Sequence, residues 1–87
     1  MRVIIVSVTL YTRTVCPKCI MVKSMMDAAG VAYESINVDE DAAAKEMIQG
    51  MGYSAAPIMK ISQGEPAADE FIANVSDMVA YVQTIAE

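Results

Sequence analysis

An apolar run that leads into Cys16-Pro17-Lys18-Cys19 leaves this chain few ways to fold. The segment Val3-Ile4-Ile5-Val6-Ser7-Val8-Thr9-Leu10-Tyr11-Thr12 is rich in β-branched and aromatic residues and contains neither Gly nor Pro, so it reads as a buried strand. Pro17 lacks an N–H, and its fixed φ suits the first position of a helix. From Cys19 the chain continues through Ala28 and Ala29 to Gly30, a glycine stop. A strand therefore hands over to a helix through the two cysteines. Cys16 falls at the helix N-cap and Cys19 in the first turn on the same face, so the two sulfurs can close a short disulfide ring.

Cys16 and Cys19 are the only cysteines in the chain. Unpaired N–H groups and the positive end of the helix macrodipole stabilise a thiolate at an N-cap, and Arg13 and Lys18 add positive charge nearby. Cysteines so placed have thiol pKa values lowered from about 8.5 to about 7 or below. Cys16 is the expected nucleophile and Cys19 the resolving thiol. A structural zinc site needs about four ligands; with no His and no further Cys, only carboxylates or a second chain would complete it, and no metal ligand is assigned. A purely structural bridge gains little, because so short a loop removes little unfolded-state entropy. Nor do two lone cysteines make the framework of a secreted mini-protein. The strand-CxxC-helix setting favours redox chemistry.

Eighty-seven residues are read as one domain, residues 1–87, burying about 60 to 65% of the unfolded chain's surface. The chain is 55% hydrophobic, yet no run approaches the roughly 20 apolar residues of a spanning helix, so no membrane partner is expected. The apolar start breaks at Ser7 and Thr9 and meets no small-residue cleavage site before the cysteines. It is therefore read as a strand and not as a signal peptide. A reducing cytoplasm is the expected location, where two thiols are catalytic more often than structural. A net charge of −5 disfavours nucleic acid and anionic membrane as partners. Arg13, Lys18 and Lys23 cluster around the cysteines whereas residues 34–46 are mainly acidic; solvated surface charge explains this as well as a docking patch does.

Downstream, the alternation from Tyr33 to Val38 predicts a strand. Asp39 is the expected N-cap of a second helix, with Glu40 and Asp41 in its first turn and an end at Gly50 or Gly52. Ile58 to Ser62 predicts a short strand, with Pro57 tolerable at its start. Gln63-Gly64-Glu65-Pro66 has turn chemistry, and another short strand is expected near Ala67 to Phe71. Ser76 is the expected cap of a last helix from Asp77 to about Ala86, with Met78, Val79, Val82 and Ile85 as its buried stripe. The order is β-α-β-α-β-β-α, an α/β chain whose first half is a parallel βαβ unit and whose second half is a hairpin with a closing helix.

With these motifs in this order the chain resembles the glutaredoxin family of the thioredoxin-like superfamily over nearly its whole length. Tyr11-Thr12-Arg13-Thr14-Val15-Cys16-Pro17-Lys18-Cys19 is similar to the family's strand end and dithiol site, with a basic residue at Arg13 and Lys18 where an aromatic residue is often found. Ala55-Ala56-Pro57 is similar to the family segment that ends in a cis-proline facing the thiols. There the backbone of Ala56 would pair with a substrate peptide or glutathione as an added strand. Phe71 to Asp77 is similar to the stretch that opens the last helix. In the family, backbone N–H groups and the Asp of this stretch hold the γ-glutamyl end of glutathione. Ser76 and Asp77 match; Ala73 and Asn74 replace the usual Gly pair.

The resemblance implies a thioredoxin-like fold with a four-stranded mixed sheet flanked by helices. The implied activity is thiol-disulfide exchange on protein disulfides or glutathione mixed disulfides. It implies a monomer with no tightly bound cofactor and with glutathione as reductant or co-substrate. Cys16 and Cys19 would be catalytic; Arg13, Pro17, Lys18, Ala56, Pro57, Ser76 and Asp77 would bind glutathione or substrate. A second branch, the NrdH-type redoxins, implies thioredoxin reductase as electron donor and ribonucleotide reductase as acceptor. Its usual Trp-Ser-Gly-Phe-Arg-Pro type segment shares only Phe71 with Ala68 to Ala73. A third expectation, from another class, is an iron–sulfur carrier in which Cys16 of two chains and two glutathiones share a cluster.

Overall fold

The computed structural model describes residues 7–53, 56–62 and 69–85. The elements follow the expected order: β1 (Ser7–Thr12), α1 (Pro17–Ala28), β2 (Glu34–Asn37), α2 (Ala42–Gly50), β3 (Ile58–Ser62), β4 (Glu70–Ile72) and α3 (Val75–Ile85). The four strands form one mixed sheet in the order β2-β1-β3-β4, with β1 and β2 parallel and both β1–β3 and β3–β4 antiparallel. This is a thioredoxin-like arrangement.

Strand alternation sorts the core into two parts. From β1 and β3, Val8, Leu10, Met59 and Ile61 are buried with Val22 and Met26 of α1 and Met78 and Val82 of α3. A smaller cluster joins Tyr11 and Ile58 to Val38 and to Ile48 of α2. So α1 and α3 share one cluster while α2 packs in the other. Of its expected buried stripe, the last helix buries Met78 and Val82 fully and leaves Val79 and Ile85 half-buried.

Several boundaries differ from expectation. β2 is shorter than Tyr33 to Val38. α2 is capped by Asp41, whose side chain accepts the Ala44 N–H at 3.0 Å, and not by Asp39. The last helix begins at Val75, ahead of Ser76: the Asn74 Oδ1 accepts N–H groups from Ser76 at 2.8 Å and Asp77 at 3.4 Å, so Asn74 is the cap. β4 starts at Glu70, three residues after the expected Ala67. The expected strand residues Val3 to Val6, the turn Gln63 to Pro66 and the helix end at Ala86 lie outside the described residues, as do Ala55, Ala67 and Ala68. α1 matches closely: Pro17 is its first residue, and Gly30 follows its end at a φ of +73°, a left-handed conformation that favours glycine.

Register brings the chain's reactive segments to one end of the sheet. Thr12, the last residue of β1, pairs with Asn37, the last of β2. Tyr11 pairs with Ile58, which places Pro57 beside Thr12. Met59 pairs with Ile72, so the turn into α3 lies at this same end. The cysteines follow Thr12 by four to seven residues and share that end with Asp39, Pro57 and Asn74.

Candidate active site

Cys16 and Cys19 are joined by a disulfide with a Cα–Cα separation of 5.2 Å. Cys16 is the N-cap of α1, and its Sγ accepts the Cys19 N–H at 3.1 Å. A sulfur sits where Ser, Thr, Asp or Asn usually stands, so the N–H that it caps would meet a thiolate once the bridge opens. The Cys16 carbonyl accepts from the Ile20 N–H at 3.2 Å, completing the first turn. Cys16 is 9% exposed and Cys19 2%, so an incoming group reaches Cys16 more readily. Pro17 and Lys18 are exposed beside the pair.

The Ala56–Pro57 peptide bond is cis, the isomer that the family resemblance implies. Pro57 is fully buried and Ala56 half-buried. Ala56 also lines a groove of about 130 Å³ with Tyr11, Arg13, Lys45, Gln49 and Tyr53. Of that set the sequence reading named Arg13 and Ala56. Lys45 and Gln49, one helical turn apart on α2, were missed; their spacing was legible, but nothing local ties them to residues that precede Cys16.

Arg13 is exposed, but its Nε donates to the Asp39 carboxylate at 3.4 Å, and the Thr14 N–H donates to the same carboxylate at 2.9 Å. The Thr14 N–H, more than the guanidinium, holds the Asp39 carboxyl below its ordinary range. Asp39, expected as a helix cap, instead joins the loop before Cys16 to the end of β2. Asn37 extends the tie, accepting the Asp39 N–H at 2.9 Å and donating through Nδ2 to the Thr14 hydroxyl at 3.2 Å.

At the third corner, Ser76 and Asp77 are exposed, and their N–H groups point to the Asn74 side chain. Three large apolar side chains stand exposed near the cysteines in sequence: Val15 is 86% exposed, Ile20 68% and Met21 51%. Val15 lies in the segment that resembles the family's site, whereas Ile20 and Met21 were not singled out in the sequence. Among the described residues, no group of three or more Cys, Asp or Glu is arranged to hold a metal ion. None of the described helices is long and apolar enough to cross a membrane.

Comparison with known proteins agrees with this geometry. A glutaredoxin-like protein NrdH of Lactococcus lactis is 36% identical over 52 residues, which cover 60% of this chain and 72% of that protein. The solved structure of the glutaredoxin-like NrdH-redoxin from Escherichia coli superposes with a TM-score of 0.70 at 28% identity, over 86% of this chain and 92% of that one. Glutaredoxin 1 from Francisella tularensis shares the fold, with a TM-score of 0.69 at 21% identity over 93% of this chain and 96% of that one. The Glutaredoxin family profile matches residues 8–63. The chain therefore belongs to the glutaredoxin family, a thiol-disulfide oxidoreductase close to the NrdH-type redoxins.

Proposed function

We propose that the protein is a dithiol redoxin that takes electrons from a thioredoxin reductase type of flavoprotein, in preference to glutathione, and passes them to protein disulfides. Cys16 as thiolate attacks one sulfur of the substrate disulfide and expels the other, which takes up a proton. Cys19, deprotonated in turn, attacks Cys16 Sγ and expels the second substrate sulfur. The substrate gains two electrons and two protons, and the pair ends as the Cys16–Cys19 disulfide. Two electrons from the reductase reopen it.

The choice of donor rests on one observation. In glutaredoxins the N–H groups opening the last helix hold the γ-glutamyl end of glutathione; here the Asn74 side chain already accepts from those of Ser76 and Asp77. A glutathione carboxylate would have to displace it. Two further features point the same way. Arg13 is held by Asp39, and exposed Val15, Ile20 and Met21 suit an apolar protein surface better than a small charged tripeptide. The E. coli NrdH-redoxin is described as having a thioredoxin-like activity profile, which supports the same reading for this chain. Ribonucleotide reductase, the acceptor that the NrdH resemblance implies, is the first substrate to try.

A coupled assay tests the donor. NADPH oxidation with a small disulfide substrate is followed in one cuvette with thioredoxin reductase and in another with glutathione and its reductase. Rapid oxidation only in the first is expected. Equal or faster turnover with glutathione would overturn the choice of donor while leaving the dithiol chemistry intact.

A further inference from the structure

The loop between β1 and α1 is short of packing. Arg13, Thr14 and Val15 are all exposed, Val15 to 86%, so apolar burial does not hold them. Yet this loop fixes where Cys16 stands. In the oxidised protein the Cys16–Cys19 bond ties Cys16 to α1. Once the bond opens, the Cys19 N–H contact at 3.1 Å is available to a thiolate only if the loop keeps Cys16 at the N-cap.

What holds the loop is polar and comes from the other side of the parallel pair. The Asp39 carboxylate accepts from the Thr14 N–H at 2.9 Å and from Arg13 Nε at 3.4 Å. Asn37 Nδ2 donates to Thr14 Oγ at 3.2 Å, the Asp39 N–H donates to Asn37 Oδ1 at 2.9 Å, and the Val38 N–H donates to the Thr12 carbonyl at 2.8 Å. Asp39 is the only side chain among the described residues that accepts a backbone N–H of this loop.

We propose that Asp39 is a positioning residue for the thiol chemistry: its carboxylate anchors the loop of residues 13–15 to the end of β2 and so keeps Cys16 at the start of α1 when the disulfide is open. The proposal rests on Cys16 being the nucleophile. Charge and tether make opposite predictions. A carboxylate near the cysteines disfavours a second negative charge, so by charge alone its removal would make Cys16 more reactive. Loss of the tether moves the sulfur away from the N–H groups that stabilise its thiolate and makes it less reactive.

Asp39→Asn removes the charge but keeps an oxygen for the Thr14 N–H; Asp39→Ala removes both. The reduced variants are alkylated with iodoacetamide over a range of pH, with the labelled cysteine mapped, and chemical denaturation is followed in parallel. In Asp39→Asn, Cys16 should titrate at or slightly below the wild-type pH. In Asp39→Ala its thiol pKa should rise by about 0.5 relative to Asp39→Asn, making alkylation about threefold slower at pH values well below that pKa. Equal titration in the two variants would overturn the proposal, even if both are less stable than wild type, because a merely structural role moves the denaturation midpoint and not the titration of the folded protein. Should Asp39→Ala fail to fold, Asn37→Ala, which removes the bonds on either side of the carboxylate, is expected to raise the Cys16 pKa by a smaller amount, and an unchanged value would refute the tether. Labelling of wild-type Cys19 ahead of Cys16 would instead refute the nucleophile assignment.

Discussion

Two helices begin at the same end of the sheet and are capped in different ways. At α1 the cap is the Cys16 sulfur, which accepts the Cys19 N–H. At α3 it is the Asn74 amide oxygen, which accepts from Ser76 and Asp77. Both satisfy the orphan donors that every helix start presents. A sulfur cap is chemically active, because the N–H groups that hold it also stabilise its anion. An amide cap is inert and occupies donors that would otherwise attract a carboxylate. One helix start thereby presents a sulfur to its first-turn N–H, and the other has donors already met by its own Asn74 cap.

The largest effects are expected at the sulfur cap. Cys16→Ser should reduce disulfide turnover to background in any coupled assay, since no other thiol can open a substrate disulfide and be resolved. Cys19→Ser should stop turnover of protein disulfides after the first step, leaving a mixed disulfide at Cys16 that intact-mass spectrometry detects as an added substrate mass. Residual dithiol turnover in the Cys16 variant would break the distinction between the two helix starts.

A smaller effect is expected at the amide cap. Asn74→Ala should cost about 1 kcal/mol of stability, the usual range for losing such a cap, as read from a chemical denaturation curve. The alkylation rate of Cys16 should not change. If that rate fell with Asn74, the two helix starts would be coupled and not separate.

The smallest effect concerns pH. The Asp39 carboxyl lies below its ordinary pKa of 3.8, chiefly through the Thr14 N–H. A carboxyl depressed in the folded state contributes stability that is fully present above its unfolded pKa and is lost as pH falls through the folded one. Asp39→Asn should therefore be less stable than wild type at neutral pH, and the difference should shrink below about pH 4. A difference that stayed constant down to acid would remove the carboxylate's part in the loop.

Where a boundary is set by one residue's covalent chemistry, the sequence reading matched the structure. Pro17 starts α1 and Gly30 follows its end because the missing N–H of one and the left-handed conformation of the other leave no alternative nearby. Where two good caps stand close together, it chose wrongly. Asp39 and Asp41 are equally suited to cap α2, as Asn74 and Ser76 are to cap α3. Asp39 is drawn away by Thr14 and Arg13, 25 and 26 residues earlier in the chain, a contact that no local pattern reports. The redox-active cysteine pair was legible because strand, Cys-Pro-x-Cys and helix are contiguous. The groove residues Lys45 and Gln49 were not, since they join Arg13 and Ala56 only through the fold. The cis bond before Pro57 was legible from family resemblance and not from the proline itself, because most X–Pro bonds are trans.

Cys16 at the start of α1 is expected to be the attacking thiol, and brief alkylation of the fully reduced protein with substoichiometric iodoacetamide at neutral pH, followed by peptide mapping, tests it. The predicted result is label on Cys16 with Cys19 almost unmodified. Label shared equally between the two, or placed first on Cys19, would overturn the assignment of Cys16 as nucleophile.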